Sequence, residues 1–187
     1  LFGRNEIVGQ RYFKEANDKL LITSTFLTLQ GEGPFRGEPA FFVRFAKCNL
    51  ACSFCDTFFD AGDWMTIDEI EKKIDTEITK YFNGQVPAWA ANVAPDNECD
   101  PAYGSWFVSK WREMVLVITG GEPMLQKNIV PFLERMNKQF RNTQIESNGL
   151  IYQPIPRETT LVVSPKCLEK AGKAVKYLAP NKQVLDR

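Results

Sequence analysis

The stretch that decides the fold runs from Ala40 to Thr57, AFFVRFAKCNLACSFCDT. Its opening, Ala40 to Ala46, is a short apolar run broken by a single charge, Arg44, which is the composition of a buried strand. Three cysteines follow at once, spaced Cys48-x3-Cys52-x2-Cys55. Thiolates are soft ligands suited to zinc, copper(I) or iron–sulfur centres. On spacing alone three readings stay open. A structural zinc ion takes four ligands, and Cys99 or Cys167 is available as the fourth. The thiols also fit a buried group with no metal. Finally, a [4Fe–4S] cluster held by only three cysteines leaves one iron open to a small chelating molecule.

The same organisation recurs along the chain. Leu20 to Leu29 (LLITSTFLTL) is rich in β-branched and aromatic residues and predicts one or two strand pieces. A turn-rich loop, Gln30 to Pro39, leads into the deciding stretch. Thr66 to Phe82 places Ile67, Ile70, Ile74 and Ile78 on one helical face, and Thr66 with Glu69 reads as a capping box. Met114 to Thr119 (MVLVIT) is a buried strand. Ile129, Phe132, Leu133, Met136 and Phe140 mark an amphipathic helix, with Pro131 tolerable in its first turn. Thr143–Glu146, Thr160–Val163 and Ala174–Leu178 are further strand candidates. Residues 1–18 read as an N-terminal extension and 83–110, with Trp89, Cys99 and Trp106, as an irregular insert.

Strands alternating with helices predict an α/β fold with a parallel sheet. Ligands bind such sheets beyond the carboxyl ends of the strands. Those ends carry, in order, CNLACSFCDT, TGGEP, ESNG and SPK.

Composition narrows the chemistry. The 187 residues, 44% of them hydrophobic, fit one domain with a real core, and no apolar run reaches the roughly 20 residues of a membrane-spanning helix. Lys+Arg and Asp+Glu are both 23, so no broad positive field for nucleic acid exists, and a small-molecule partner is expected. With no histidine, a Ser-His-Asp triad and zinc sites that need histidine are excluded. Five cysteines, three within eight residues, make a poor disulfide framework and fit a reducing cytoplasm. The chain starts at Leu1 and stops at Arg187, and it is expected to lack a C-terminal part.

CxxxCxxC after a strand resembles the radical S-adenosylmethionine (SAM) enzymes, and Gly120–Pro123 (GGEP) is similar to their SAM-contacting strand end. A closer resemblance, to the 7-carboxy-7-deazaguanine synthase (QueE) family, lies in Thr28–Thr57, Val117–Leu125 (VITGGEPML), Ile145–Gly149 (IESNG) and Val162–Lys166 (VVSPK). Residues 1–18 and 83–110 carry no matching pattern.

The resemblance implies a single domain over 1–187, built as a partial, open parallel (β/α) barrel. It implies conversion of 6-carboxy-5,6,7,8-tetrahydropterin to 7-carboxy-7-deazaguanine with loss of ammonia, on the route to queuosine and related 7-deazapurines. Its cofactors would be a [4Fe–4S] cluster, SAM and Mg2+. Its partners would be the pterin, a flavodoxin-like electron donor and a second copy in a homodimer, with no direct contact to nucleic acid or membrane. Position by position, Cys48, Cys52 and Cys55 match cluster ligands and Thr57 the magnesium ligand. Leu29, Gln30, Gly31, Glu32, Arg44 and Thr119 match the substrate side. Phe54, Cys55, Asp56, Gly121, Glu122, Ser147, Asn148, Ser164, Pro165 and Lys166 match the SAM side. No acid–base catalyst is implied, because the radical arises at the cofactor. The rival readings are a glycyl-radical activase of the same superfamily and a zinc-stabilised module with no enzymatic activity.

Overall fold

Alternation along one strand sets the architecture. In β2 (Pro39–Phe45), Phe41, Val43 and Phe45 point to one face and Ala40, Phe42 and Arg44 to the other. The first set joins the main core; Ala40 and Phe42 join a smaller cluster on the opposite face. The computed structural model describes residues 6–81 and 113–187.

Six strands form one sheet in the order β3-β1-β2-β4-β5-β6. They are β1 (Lys19–Leu29), β2, β3 (Asp63–Thr66), β4 (Val115–Gly120), β5 (Asn142–Ser147) and β6 (Thr159–Val163). β2, β4, β5 and β6 run parallel. β1 runs antiparallel to both β2 and β3, so the expected parallel sheet is mixed at one edge. The cause is local: a turn of nine residues, 30–38, returns the chain directly, whereas a parallel partner would need a crossover of a dozen or more. Within β1 the register shifts between Ile22 and Ser24. Among the described residues the edge strands β3 and β6 do not pair with each other, and the sheet stays open.

Among the described residues two helices cover the core face. α1 (Ile67–Tyr81) buries Ile70, Ile74 and Ile78, and its capping box is formed: Glu69 N donates to Thr66 Oγ1 at 3.2 Å and Thr66 N to Glu69 Oε2 at 2.7 Å. α2 (Ile129–Met136) buries Ile129, Phe132, Leu133 and Met136, with Pro131 in its first turn. It ends before Phe140, which is still buried and whose N–H bonds the Met136 carbonyl at 2.9 Å. The β5-to-β6 connection carries no helix. After β6 the chain forms a separate hairpin, β7 (Cys167–Lys170) with β8 (Lys173–Tyr177), and then a helical turn, α3 (Lys182–Leu185). No helix among the described residues is long and apolar enough to cross a membrane.

The segment read as an extension packs on the sheet edge. Phe13 is buried and Ile7 bridges to Cys48. The proposed insert at 83–110, with Cys99 and its tryptophans, lies outside the described residues.

One buried side chain ties the segment before α2 to the adjoining β1 strand and the end of β2. Gln126 accepts from Leu21 N at 3.0 Å and donates to the Ala46 carbonyl at 3.1 Å. Gln126→Met keeps the volume but leaves a buried N–H and a buried C=O unpaired, each costing about 1–3 kcal/mol. Urea unfolding should show a clear drop in midpoint at unchanged slope.

Candidate functional site

At the carboxyl ends of β2, β4, β5 and β6 the side of the sheet away from the helices opens into a cavity of about 510 Å3. Alternation explains its lining. Towards the amino ends this face is apolar, with Ala40, Phe42, Val115 and Val117. One or two residues further on it turns polar. Arg44 pairs in register with Thr119, and Glu146 follows Ile145, the partner of Ile118. Arg44, Thr119 and Glu146 thus stand in a row across three adjacent strands.

Arg44 is half-buried, with its guanidinium carbon 4.9 Å from the Phe26 ring centroid. Its Nε is buried and, among the described residues, has no hydrogen-bond partner. No ion pair to Glu38 forms there either. A buried donor left without an acceptor is costly, and a ligand carboxylate in the cavity would satisfy it by a charge-assisted bond.

Cys48, Cys52 and Cys55 line the same cavity, and none is in a disulfide. Cys48 is buried, whereas Cys52 and Cys55 are partly exposed. Burial pushes the Cys48 thiol up to about 12 and raises Cys52 as well. A bound metal reverses this, since a coordinating thiol is deprotonated outright. No group of three His, Cys, Asp or Glu among the described residues converges on a single-ion position. Thiolates holding a cluster each bind a different iron, so they need not converge on one point.

The loop is anchored at its start. Lys47 has φ 71°, a conformation costing most residues about 1–2 kcal/mol. It is held by Lys47 N to the Phe59 carbonyl at 2.7 Å and Lys47 Nζ to Glu6 Oε2 at 3.0 Å. The GGEP turn packs against it backbone to backbone. Gly121 N donates to the Phe45 carbonyl and Glu122 N to the Lys47 carbonyl, both at 2.9 Å. A Cβ on Gly121 would lie 1.9 Å from the Lys47 oxygen. Glycine is required there by close approach.

Of the residues singled out from the sequence, Gln30, Gly31, Glu32, Arg44 and Thr119 line this cavity, as do Phe54, Asp56, Thr57 and Gly121. Ser147, Asn148, Ser164 and Lys166 complete that set on the far side. Three others fall outside the lining. Leu29 is 64% exposed and Pro165 is exposed. Glu122 is fully buried beneath the cavity, where it accepts from Met124 N at 3.0 Å, Ser147 Oγ at 2.8 Å and Asn148 N at 2.8 Å. Burial pushes its carboxyl up, against three donors that favour the ionised form. Its visible part is to fix the 147–148 turn.

Sequence reasoning missed Glu146, which receives Gln30 Nε2 at 3.0 Å and Gln144 Nε2 at 3.1 Å. The signal was its register, level with Thr119 on the cavity face. Thr57 Oγ1 donates to Asp56 Oδ1 at 3.0 Å, a pair of hard oxygen donors suited to magnesium.

The fold and this cavity define a class. QueE from Escherichia coli matches 97% of the chain and is itself 72% covered, with TM-score 0.60 and 24% identity; this likeness concerns the fold. No protein-family model matches. Among curated proteins the chain is similar to 7-carboxy-7-deazaguanine synthases. The one from Rickettsia prowazekii is 35% identical over 148 residues, 79% of this chain and 52% of the relative. That from Rhodospirillum rubrum is 32% identical over 169 residues, 89% and 57% respectively. That from E. coli K12 is 30% identical over 151 residues, 81% and 63%. The chain therefore spans 52 to 63% of the length of these relatives. The family resembled by Thr28–Thr57, Val117–Leu125, Ile145–Gly149 and Val162–Lys166 is the one these relatives carry by name.

Two predictions follow from the geometry of the site. Glu122→Gln must turn an amide NH2 towards a backbone N–H, at Met124 or Asn148, whichever way it is flipped. It should cost about 1–3 kcal/mol in chemical unfolding. In the iron-free protein at pH 8, with the Cys48 thiol near 12, roughly one Cys48 in 10⁴ is ionised. Alkylation followed by mass spectrometry should label Cys48 last of the three.

Proposed function

We propose that this chain is the cluster- and substrate-binding part of a 7-carboxy-7-deazaguanine synthase, converting 6-carboxy-5,6,7,8-tetrahydropterin to 7-carboxy-7-deazaguanine with release of ammonia. The observation that carries the reading is the unpaired Arg44 Nε in the same cavity as three free thiols. A buried guanidinium N–H without a partner among the described residues calls for a small carboxylate, and the pterin has one. The rival activase would need neither the LQGEGP loop, Leu29 to Pro34, nor the Asp56–Thr57 pair.

Cys48, Cys52 and Cys55 fit a [4Fe–4S] cluster: soft donors, none in a disulfide, lining the same cavity. With SAM bound, that cofactor supplies the radical that takes hydrogen from the substrate. The chain's own residues bind and orient. Arg44 holds the carboxylate. Gln30, Gly31, Glu32 and Thr119 border the ring, with Glu32 facing its guanidine-like edge. Gly121, Ser147, Asn148, Ser164 and Lys166 face the nucleoside side, and Phe54 to Asp56 border its adenine. Asp56 and Thr57 fit Mg2+ as hard donors beside the substrate oxygens. Holding the reacting carbon in one position is the protein's contribution to the rate. A cytoplasmic homodimer served by a flavodoxin-like donor completes the proposal.

The test is anaerobic turnover with 6-carboxytetrahydropterin, SAM and dithionite after reconstitution with iron and sulfide. Cys52→Ala should abolish both 7-carboxy-7-deazaguanine and 5′-deoxyadenosine. Arg44→Ala should raise KM for the pterin steeply while slow uncoupled SAM cleavage persists. Equal loss of both products in Arg44→Ala would make Arg44 a folding residue. A colourless protein that binds zinc alone would end the proposal.

A further inference from the structure

The structure assigns Glu169, on the β7–β8 hairpin, to the positioning of the loop that carries Cys52 and Cys55; the assignment rests on the proposed role of those cysteines. Both carboxylate oxygens of Glu169 are spent on one residue of that loop. Ser53 N donates to Oε2 at 2.7 Å and Ser53 Oγ to Oε1 at 3.0 Å, across 116 positions of sequence. Ser53 lies between the two thiols that are open to the cavity. Within the Cys52–Cys55 turn the described backbone bond is Cys55 N to the Cys52 carbonyl, at 3.2 Å. One such bond does not fix a turn against the body of the protein. The Glu169 fork does, because two bonds from one planar group set both its position and its tilt.

The hairpin shows the same dependence from its own side. Every residue of β8 is exposed, as are Leu168 and Lys170 of β7. A two-stranded hairpin with so little buried surface is marginal alone. At its base Leu178 N donates to the Lys166 carbonyl at 2.9 Å, and Lys166 itself lines the cavity with Nζ 5.9 Å from the Phe54 ring centroid. Glu169 thus fastens the strand leaving one wall of the cavity to the thiol loop on the other. Glu169 is not among the residues lining the cavity, and it acts through Ser53.

Residues that orient metal ligands typically cost 10–100-fold in metal retention when removed. In the anaerobically reconstituted protein, Glu169→Ala should lose its iron to a chelator at least about tenfold faster than wild type, followed by the visible absorbance of the cluster. Glu169→Gln should stay near wild type, because its amide can accept from Ser53 N and donate to Ser53 Oγ. In the iron-free protein, Glu169→Ala should also speed amide hydrogen exchange at Ser53 with its thermal transition kept. Wild-type iron loss in Glu169→Ala, or unchanged exchange at Ser53, overturns the assignment while leaving the proposed function intact. A Glu169→Gln variant as weak as Glu169→Ala also overturns it, by making the effect one of charge. A wild-type protein that takes up no iron and sulfide defeats the reading of the cysteines as well.

Discussion

The structure turns on one backbone contact, the docking of Gly120 and Gly121 against residues 45–47. Parallel pairing of β2 with β4 brings Phe45 opposite Gly120, and the chain then continues with two hydrogen bonds from Gly121 and Glu122 to the Phe45 and Lys47 carbonyls. Side chains are excluded there: a Cβ on Gly120 would meet the Phe45 oxygen at 2.3 Å, and Gly120 itself sits at φ 120°. The contact fixes where the thiol loop begins relative to the next strand end. From it Glu122 reaches under the cavity to the 147–148 turn, so three successive strand ends share one frame. Without that frame the cysteine loop, the GGEP turn and the 147–148 turn would be separate loops.

Sheet periodicity then does the sorting. A period of two sends Phe41, Val43 and Phe45 to the helices and leaves Phe42 and Arg44 facing the cavity. The same parity in β4 separates Leu116 and Ile118 from Val117 and Thr119. The apolar floor and polar mouth of the cavity come from the place along each strand where hydrophobic residues give way to polar ones. This is why a single charge in an apolar run was informative: Arg44 falls on the cavity side, next to Thr119 in register.

Strands and helices with strong patterns were legible. Leu20–Leu29, Ala40–Ala46 and Met114–Thr119 correspond to β1, β2 and β4, and the Thr66–Glu69 box starts α1. What escaped was long-range pairing. β3 is four residues, Asp63–Thr66, with two of them exposed, and only its pairing with Lys19–Ile22 makes it a strand. β7 is equally short and half-exposed, so no periodicity marks it. Among site residues, position along the motif does not give the orientation of Glu122. Its place in GGEP puts it beside the cavity in sequence, yet the turn into Pro123–Leu125 carries its side chain inward to three donors. Glu146 sat inside a quoted motif, but its orientation depends on parity in β5 and on donors from Gln30 and Gln144 that sequence does not place.

The thiol loop itself shows how an irregular segment can be held without regular structure. At its entrance, Ile7 bridges to Cys48, Val8 N donates to the Cys48 carbonyl at 2.9 Å, and Glu6 pairs with Lys47 at 3.0 Å. At its exit, Lys47 N reaches the Phe59 carbonyl, which brings the two ends of the loop together. At its middle, Ser53 is gripped from the hairpin. These anchors come from residues 6–8, 59 and 169, far apart in sequence and outside the motifs that identify the loop. Thiols that must keep a fixed mutual spacing cannot rely on a loop's own few hydrogen bonds. The restraint has to be borrowed from outside the loop, and residues 6–8 and 169, towards the two ends of the described chain, supply it.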